Sequence, residues 1–478
     1  MSTMAEKDPQ TLSVEDRSRR LTDRFAKKFE EIMPDSLTIA FILVIVVAVL
    51  AVVLAGAPIF VSEPNQQSVA DAMGSRFWNL LQFSMQMALV TILGNVLASS
   101  PPMKFLLRKF CGIPKTETGA YILCSSLGYA LAWCHWAVGW MGCIVIGKEM
   151  LLIAKERGMK IHVPSFVACL FCTALMGATA ISASHILYAS TPGYLKQLVD
   201  PETAKMLLDS YSISDTVLFP AALIMGVLSY ILAMVIIMAM RPKQGSPIEE
   251  MSPEQEAYYS MSVETKNIDR STLAKKLSNS VIIQFIIVAL MGYWCLQLIM
   301  KEGIMGMSIN RYNHLVLVLT LAFCMRPKVF ADLFIQTVTS VWAFIIQYPF
   351  YAGIFGIIVG TGLDKTIANF FLSFATAETW PSIAFLYSAI LNIFVPSAGS
   401  KFVIEAPYII PITLEIGTKM EVILQAYGFG DCATNMLAPF WWILPCGLFK
   451  IDFHKVLPYA IVASLGVTVF CFFGFFLW

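Results

Sequence analysis

The sequence predicts an all-α polytopic membrane protein: an inverted-topology repeat with two re-entrant hairpins, two broken helices and about nine full spans. Three observations carry this prediction. The 478 residues are 57% hydrophobic and only 14% charged, whereas a soluble domain needs more charge to cover its surface. Several runs are apolar for long enough to cross a bilayer as a helix. Two further apolar stretches are interrupted at their centres, which is typical of hairpins that enter and leave on one side.

The first 35 residues are polar and lack the charged start, short apolar core and cleavage site of a signal peptide. Leu21, Phe25, Phe29 and Ile32 recur at helical spacing, and the opposite face is charged. This pattern predicts an amphipathic helix within 1–35 that lies on the cytoplasmic membrane surface.

The membrane part contains nine apolar runs and two interrupted stretches. The runs lie near 36–56, 76–98, 165–195, 214–240, 276–300, 311–325, 329–361, 419–447 and 456–477. The interrupted stretches, 117–155 and 381–417, each have room for two limbs, and we interpret them as re-entrant hairpins.

A polar linker at 241–275 divides the membrane part into a first repeat, 36–240, and a second repeat, 276–478. Each half runs span, amphipathic piece, hairpin, broken span and final span. This order is typical of the inverted-topology repeats of secondary transporters.

The loop charges give the orientation. With the amino terminus inside, basic residues concentrate in the cytoplasmic loops and are sparse outside, as the positive-inside rule requires. The cytoplasmic set includes Arg108, Lys155, Arg157, Arg241, Arg326 and Lys455, whereas the outer side holds Arg76, Lys196, Lys301, Arg311 and Lys365. The first hairpin then enters from the cytoplasm and the second from outside.

The two hairpin tips are the first candidate binding elements. At such a tip one limb ends in free carbonyls, which suit a cation, and the next begins with free N–H groups, which suit an anion. The candidate residues are His135, Trp136 and Gly139 at the first tip, and Asn392, Pro396, Ser397, Gly399, Ser400 and Lys401 at the second. An ordinary kink or an extramembrane loop is the alternative for either tip.

A second break follows each hairpin. Its candidates are Ser182, Ser184 and Thr191 in the first half, and Gly430, Asp431, Thr434 and Asn435 in the second. Gly428 and Gly430 would permit unwinding. Asp431, Thr434 and Asn435 lie within one helical turn, so their side chains can face one site. An ionised Asp at membrane depth needs a cation or a proton. Na⁺ near Ser397, Asp431 and Asn435 is one possibility, and a neighbouring Lys is the other.

Several polar residues at membrane depth have two interpretations. Lys401 and Glu405 are four residues apart, so a mutual salt bridge is favoured, with attraction of a substrate carboxylate to Lys401 as the alternative. His135 and His185 could carry protons, although a satisfied core histidine is favoured for each.

The composition and motifs disfavour other classes. A net charge of +1 leaves no basic footprint for nucleic acid. The sequence contains no H-E-x-x-H, G-x-S-x-G or Walker motif, so we expect no enzyme and no catalytic residues. Most of the eleven cysteines lie in apolar runs, where reduced thiols are expected.

A family resemblance rests on motifs spread from about residue 22 to the end. They include Phe77-Trp-Asn-Leu-Leu-Gln, Tyr348-Pro-Phe-Tyr-Ala-Gly, Val395-Pro-Ser, Gly430-Asp431, Thr434-Asn-Met and Pro439-Phe-Trp. With these the chain resembles the bacterial short-chain fatty acid transporters, within a wider ion-transporter superfamily. It departs from the family at the breaks, where His135 replaces an Asn and Ala398-Gly-Ser-Lys401 replaces consecutive glycines.

The resemblance implies secondary transport of an acetoacetate- or butyrate-like carboxylate across the bacterial inner membrane by a homodimer with an elevator-type motion. Coupling to Na⁺ or H⁺ and no other cofactor are expected. The alternatives are a Na⁺-coupled carrier for another small anion such as a dicarboxylate, a channel, and a membrane-embedded enzyme.

Overall fold

The computed structural model describes residues 36–64, 66–242, 249–260, 270–302, 308–338, 341–394 and 398–477. The amphipathic helix expected within 1–35 lies outside this part of the chain. The same holds for Pro396 and Ser397 of the second expected hairpin tip.

The described residues form helices and no named β-strand, which confirms the predicted class. In chain order the α-helices are Ser36–Ala55 (α1), Val69–Arg76 (α2), Leu81–Ser99 (α3), Pro101–Cys111 (α4), Glu117–Cys134 (α5), Trp136–Glu156 (α6), Val163–Gly177 (α7), Ser184–Ala189 (α8), Pro201–Met206 (α9), Pro220–Met240 (α10), Pro253–Ser260 (α11), Leu273–Ser278 (α12), Val281–Glu302 (α13), Ile309–Cys324 (α14), Pro327–Val338 (α15), Trp342–Gly360 (α16), Leu363–Leu372 (α17), Trp380–Phe394 (α18), Ala398–Ile416 (α19), Met420–Asn435 (α20), Pro439–Phe449 (α21) and Phe453–Gly474 (α22).

Four of the described helical segments are long and apolar enough to cross a membrane: Trp136–Glu156, Pro220–Met240, Val281–Lys301 and Phe453–Leu477. Two bent pairs of helices meet the same criterion when each pair is taken as one span. They are α14 with α15, bent by 119°, and the later part of α16 with α17, bent by 71°, so the described residues contain up to six candidate spans. Shorter apolar helices lie in α1, α3, α7 and α18. The chain is therefore a membrane protein in which several expected spans consist of shorter or bent helices.

The expectation of one span at 329–361 is wrong, because α15 ends at Val338 and α16 begins at Trp342. The sharp bend before α15 has a local cause. Met325 adopts a left-handed conformation with φ of 60°, and it ends α14. Pro327 then begins α15, and a helical conformation is disfavoured for the residue that precedes a proline.

The first hairpin consists of α5 and α6, and its base lies at the linker end of the helical bundle. Arg241, directly after α10, lies 3.8 Å from Glu117 at the start of α5. Lys155 at the end of α6 pairs with Glu256 of the linker.

The second hairpin consists of α18 and α19, and its base lies at the opposite end. Helix α22 begins at the linker end, where Lys455 lies 2.6 Å from Glu249. Near the other end of α22, the Phe472 carbonyl accepts a hydrogen bond of 2.8 Å from Ser382 at the start of α18. The two hairpins therefore open toward opposite ends of the bundle.

Packing between the halves follows one repeated scheme. Helix α3 packs against α14 and α15, and α16 packs in the same way against α1 and α2. Helix α5 packs on α7 as α18 packs on α20, while α10 and α22 pack on each other. Helix α13 has no counterpart in this scheme among the described helices, and most of its large apolar side chains are exposed.

The linker is docked rather than free along α11. Gln255 Nε2 and Tyr259 Oη both donate hydrogen bonds to the Phe449 carbonyl oxygen, over 2.9 Å and 2.6 Å. These bonds satisfy a carbonyl at the end of α21, where a helix has no partner of its own.

Candidate functional site

A single residue makes the first hairpin tip. His135 is extended, with φ of −157° and ψ of 111°, between α5 and α6. Its Nδ1 accepts a hydrogen bond from the Ala137 N–H over 3.2 Å, and Ser182 Oγ accepts one from the Trp136 N–H over 2.7 Å. Two N–H groups expected to face an anion are thus already bound by protein groups.

The limbs of the first hairpin touch directly behind this tip. A Cβ added to Gly139 would lie 2.4 Å from the Cα of Ala132 on the other limb. A Cβ on Gly177, the last residue of α7, would lie 2.6 Å from the Tyr129 carbonyl oxygen. Glycine is therefore required at both positions for the hairpin to close against the first broken span.

The second tip lies against the other break of the first half. A Cβ on Gly399 would lie 2.8 Å and 2.9 Å from the hydroxyl oxygens of Tyr188 and Tyr348, and 3.0 Å from Cβ of Ser184. Ser400 belongs to α19, and its side chain lies outside the described part of the chain. The structure thus brings Ser184 and Gly399 together from opposite halves of the sequence.

Asn392 is the centre of a buried polar cluster on the first limb of the second hairpin. Its Nδ2 donates to the Asp431 carbonyl oxygen at 2.9 Å, to Thr434 Oγ1 at 3.1 Å and to Asn435 Oδ1 at 2.7 Å. Asn435 Nδ2 in turn donates to Asp431 Oδ2 over 2.9 Å. Asp431, Thr434 and Asn435 therefore do face one site, as their spacing indicated.

Asp431 has a lysine as its ionic partner. Lys401 Nζ lies 3.4 Å from Asp431 Oδ1, and both side chains are buried. Lys401 also donates to the Ser388 carbonyl oxygen at 2.9 Å and to Ser388 Oγ at 2.6 Å. The two contacts with Ser388 are hydrogen bonds, whereas the contact with Asp431 is an ion pair, because Asp431 Oδ1 has no hydrogen-bond partner among the described residues.

The favoured salt bridge between Lys401 and Glu405 is wrong, because Lys401 turns toward α18 and α20 instead. Ser388 holds the ammonium there, and the Tyr427 ring lies 4.5 Å from Nζ. Glu405 is fully buried, and neither of its oxygens has a hydrogen-bond partner among the described residues.

The expected unwinding at Gly428 and Gly430 is also wrong, because α20 is helical throughout from Met420 to Asn435. These glycines serve close packing instead. A Cβ on Gly428 would lie 2.5 Å from His185 Nε2, and one on Gly430 would lie 2.3 Å from the Phe385 carbonyl oxygen. The break comes later, between Asn435 and Pro439.

His185 is buried against Gly428, and its ring lies 5.1 Å from the Tyr427 ring. Neither ring nitrogen has a hydrogen-bond partner among the described residues. The favoured interpretation of His185 as a satisfied core histidine is therefore wrong.

Trp441 connects the first tip to the Asn392 cluster. Its Nε1 donates to Asn435 Oδ1 over 2.8 Å, and its ring lies 5.9 Å from that of Trp136 and 5.3 Å from that of Trp140. In the sequence, Trp441 stood out only as part of the Pro439-Phe-Trp motif and not as a candidate site residue. Ser388 was also missed, although it precedes Asn392 by one helical turn and so lies on the same face.

Thr191 does not join this cluster. Its Oγ1 donates to the Leu187 carbonyl oxygen at 2.6 Å and accepts from the Ile309 N–H at 3.3 Å. This side chain ties the first broken span to the start of α14.

Among the described residues, no group of three or more His, Cys, Asp or Glu side chains could hold a metal ion. The cation beside Asp431 is the Lys401 ammonium. The eleven cysteines are free thiols.

Comparisons with known proteins agree on one family. A sequence profile described as "Short chain fatty acid transporter" matches residues 18–478. A protein of Escherichia coli (strain K12) named for short-chain fatty acid transport is 28% identical over 465 residues, which are 95% of this chain and 99% of that protein. A protein of Haemophilus influenzae with the same name is 28% identical over 458 residues, 94% and 96% of the two chains.

A solved structure supports the fold. The crystal structure of the Alcanivorax borkumensis YdaH transporter, described as having an unusual topology, superimposes with a TM-score of 0.56. The match covers 92% of this chain and 98% of that one at 14% sequence identity.

Proposed function

This chain belongs to the short-chain fatty acid transporter family, and from that premise we propose that it takes up acetoacetate- or butyrate-like monocarboxylates by cation-coupled symport. The observation that carries the proposal is a buried polar cluster between the second hairpin and the second broken span, which the first hairpin and the first broken span adjoin. Trp441 connects this cluster to the first tip, and Gly399 places the second tip against Ser184.

Polar groups at membrane depth are costly unless they serve a function. The Asn392 cluster has its donors bound internally, but Asn392 Oδ1 is buried with no hydrogen-bond partner among the described residues. A buried acceptor without a partner, on the first limb of the second hairpin, fits a site that a ligand completes. Ser397 precedes Gly399 by two positions in the sequence; it lies outside the described residues and stays a predicted member of this site.

A coupled cation has an energetic purpose. A short-chain fatty acid is an anion at neutral pH, and moving one negative charge into a negative interior costs about 2.3 kcal/mol per 100 mV. A proton or Na⁺ that enters with the anion removes this cost.

The proposed movement is an elevator-type displacement of the hairpins and broken spans against the remaining helices, in a homodimer of the bacterial inner membrane. The repeated packing of α3 and α16 supports an inverted repeat, and the opposed hairpins support alternating access from the two sides. The concentration of basic residues at the linker end supports a cytoplasmic amino terminus.

Uptake of labelled acetoacetate by purified protein in liposomes tests the proposal. Gradients of Na⁺ and of pH are imposed separately, and protein-free liposomes measure unaided permeation of the neutral acid. Saturable accumulation driven by either gradient is expected. Accumulation under neither gradient would reject coupled symport, and current that does not saturate would indicate a channel.

The altered residues at the second tip also favour a test of other anions. Unlabelled monocarboxylates should compete with uptake. Stronger competition by a dicarboxylate would reject the fatty-acid assignment in favour of the second carrier.

A further inference from the structure

Glu405 is the one carboxylate of the second hairpin's buried limb without a counter-ion among the described residues. It lies one helical turn from Lys401 on α19 and is fully buried. Both its oxygens are without hydrogen-bond partners among the described residues. An ionised carboxylate in this position would be shielded from solvent and would have no hydrogen-bond donor among the described residues, whereas the protonated acid is neutral.

The surrounding groups add no free positive charge. Glu405 interacts electrostatically with groups on three helices. These are Lys401 and Tyr408 on its own helix, Tyr387 on α18, and Tyr427 and Asp431 on α20. Tyr408 and Tyr387 bond to each other through their hydroxyls over 2.6 Å. Tyr348 of α16 and Tyr188 and His185 of α8 surround the start of the same limb.

The Lys401 ammonium binds groups other than Glu405. It donates two hydrogen bonds to the Ser388 oxygens, and it forms an ion pair with Asp431 over 3.4 Å. The Asp431 carboxylate is therefore already neutralised by a cation that belongs to the chain, and a Na⁺ ion there would be repelled by the ammonium.

Resting on the proposed function, we propose that Glu405 is the binding site of the coupling proton and that Lys401 replaces a metal cation beside Asp431. The Glu405 carboxylate takes up one proton from the outer solution, the neutral acid moves through the membrane with the bound substrate anion, and the proton leaves into the inner solution. Each turnover moves one proton and one carboxylate anion, with no net charge and no change in the bonds of the substrate. Transport is then independent of Na⁺ and of the membrane potential.

Glu405→Gln separates coupling from binding, because glutamine has the shape of the protonated acid but cannot release a proton. Two assays in liposomes are needed. Accumulation of labelled acetoacetate under an imposed pH gradient should fall to the level of protein-free liposomes. Exchange of external labelled for internal unlabelled acetoacetate at equal pH should stay within about twofold of the parent, since it needs no net proton transfer.

The matched control is Glu415→Gln, an exposed carboxylate on the same helix, which should leave both assays unchanged. Gradient-driven accumulation by Glu405→Gln at the parent rate would overturn the proposal. Loss of exchange as well, in a variant that stays folded, would also overturn it, because Glu405 would then serve binding. A parent protein driven by Na⁺ and not by pH would overturn the proton site while keeping the proposed function.

Infrared spectroscopy tests the same site without transport. The C=O stretching band of a protonated carboxylic acid should be present in the parent and in Glu415→Gln at neutral pH and reduced in Glu405→Gln. An equal band in all three would show that Glu405 is ionised and would overturn the proposal. If the parent protein carried no acid in either liposome assay, the proposed function would fail, and this band would still decide the protonation of Glu405.

Discussion

The ammonium nitrogen of Lys401 lies 3.4 Å from Oδ1 of Asp431 on another helix, although Glu405 lies one turn away on its own helix. Ser388 explains the choice, because its carbonyl and hydroxyl oxygens hold the ammonium on the side of α18 and α20. The pair therefore links the second hairpin to the helix that carries Asp431, Thr434 and Asn435.

The first prediction concerns how the opposite charges of Lys401 and Asp431 affect the stability of the protein. Lys401→Met leaves the Asp431 carboxylate buried without a cation and should lower the stability by about 3–5 kcal/mol. The double variant Lys401→Met with Asp431→Asn removes both charges and should recover most of that loss. Thermal unfolding of the purified protein in detergent measures both. A double variant no more stable than Lys401→Met alone would contradict the ionic role of Asp431.

The second prediction concerns close packing at the centre of α20. Gly430→Ala would place a Cβ 2.3 Å from the Phe385 carbonyl oxygen, so α18 and α20 must separate. We expect loss of transport and a clearly lower unfolding temperature. Gly447→Ala is the control, since nothing lies within 4 Å of its added Cβ, and alanine should stabilise that helix by up to about 1 kcal/mol. Equal effects of the two substitutions would show that Gly430 does not hold the helices together.

The sequence predicted the two hairpins because helix breaks are local signals. The extended residue at His135 and the helix end near Phe394 coincide with interruptions in apolar runs. The same signal misled at Gly428 and Gly430, since a glycine that permits unwinding and one that permits close contact look alike in a sequence. Which of the two applies depends on the facing atoms of His185 and Phe385, which are distant in the chain.

The ionic partner of Lys401 was also not predictable from the sequence. The spacing of Lys401 and Glu405 predicted a pair, and helical geometry permits it. Two oxygens of Ser388 and the carboxylate of Asp431, all from other helices, outweigh that local contact. A single sequence does not encode which distant side chain reaches the ammonium.

The third prediction concerns Asn392. Asn392→Leu removes the donor to the Asp431 carbonyl, Thr434 and Asn435, and a buried acceptor left without a donor costs about 1–3 kcal/mol. We expect uptake to fall strongly, with an unfolding temperature lower than that of the parent. Asn369→Leu, at an exposed position of α17, should change neither. Normal uptake by Asn392→Leu would remove this cluster from the proposed site.

The last prediction concerns the docked linker. The Tyr259 hydroxyl donates a 2.6 Å hydrogen bond to the Phe449 carbonyl at the end of α21. Helix α21 follows the break between Asn435 and Pro439. Tyr259→Phe keeps the ring and removes this bond, so we expect a loss of about 1 kcal/mol in stability and faster proteolytic cleavage of the linker. Tyr293→Phe, on the exposed face of α13, should leave the cleavage rate unchanged. If transport also becomes faster in Tyr259→Phe, the linker restrains movement of α21. Cleavage and stability that both stay at parental values would show that the Tyr259 hydrogen bond does not hold the linker in place.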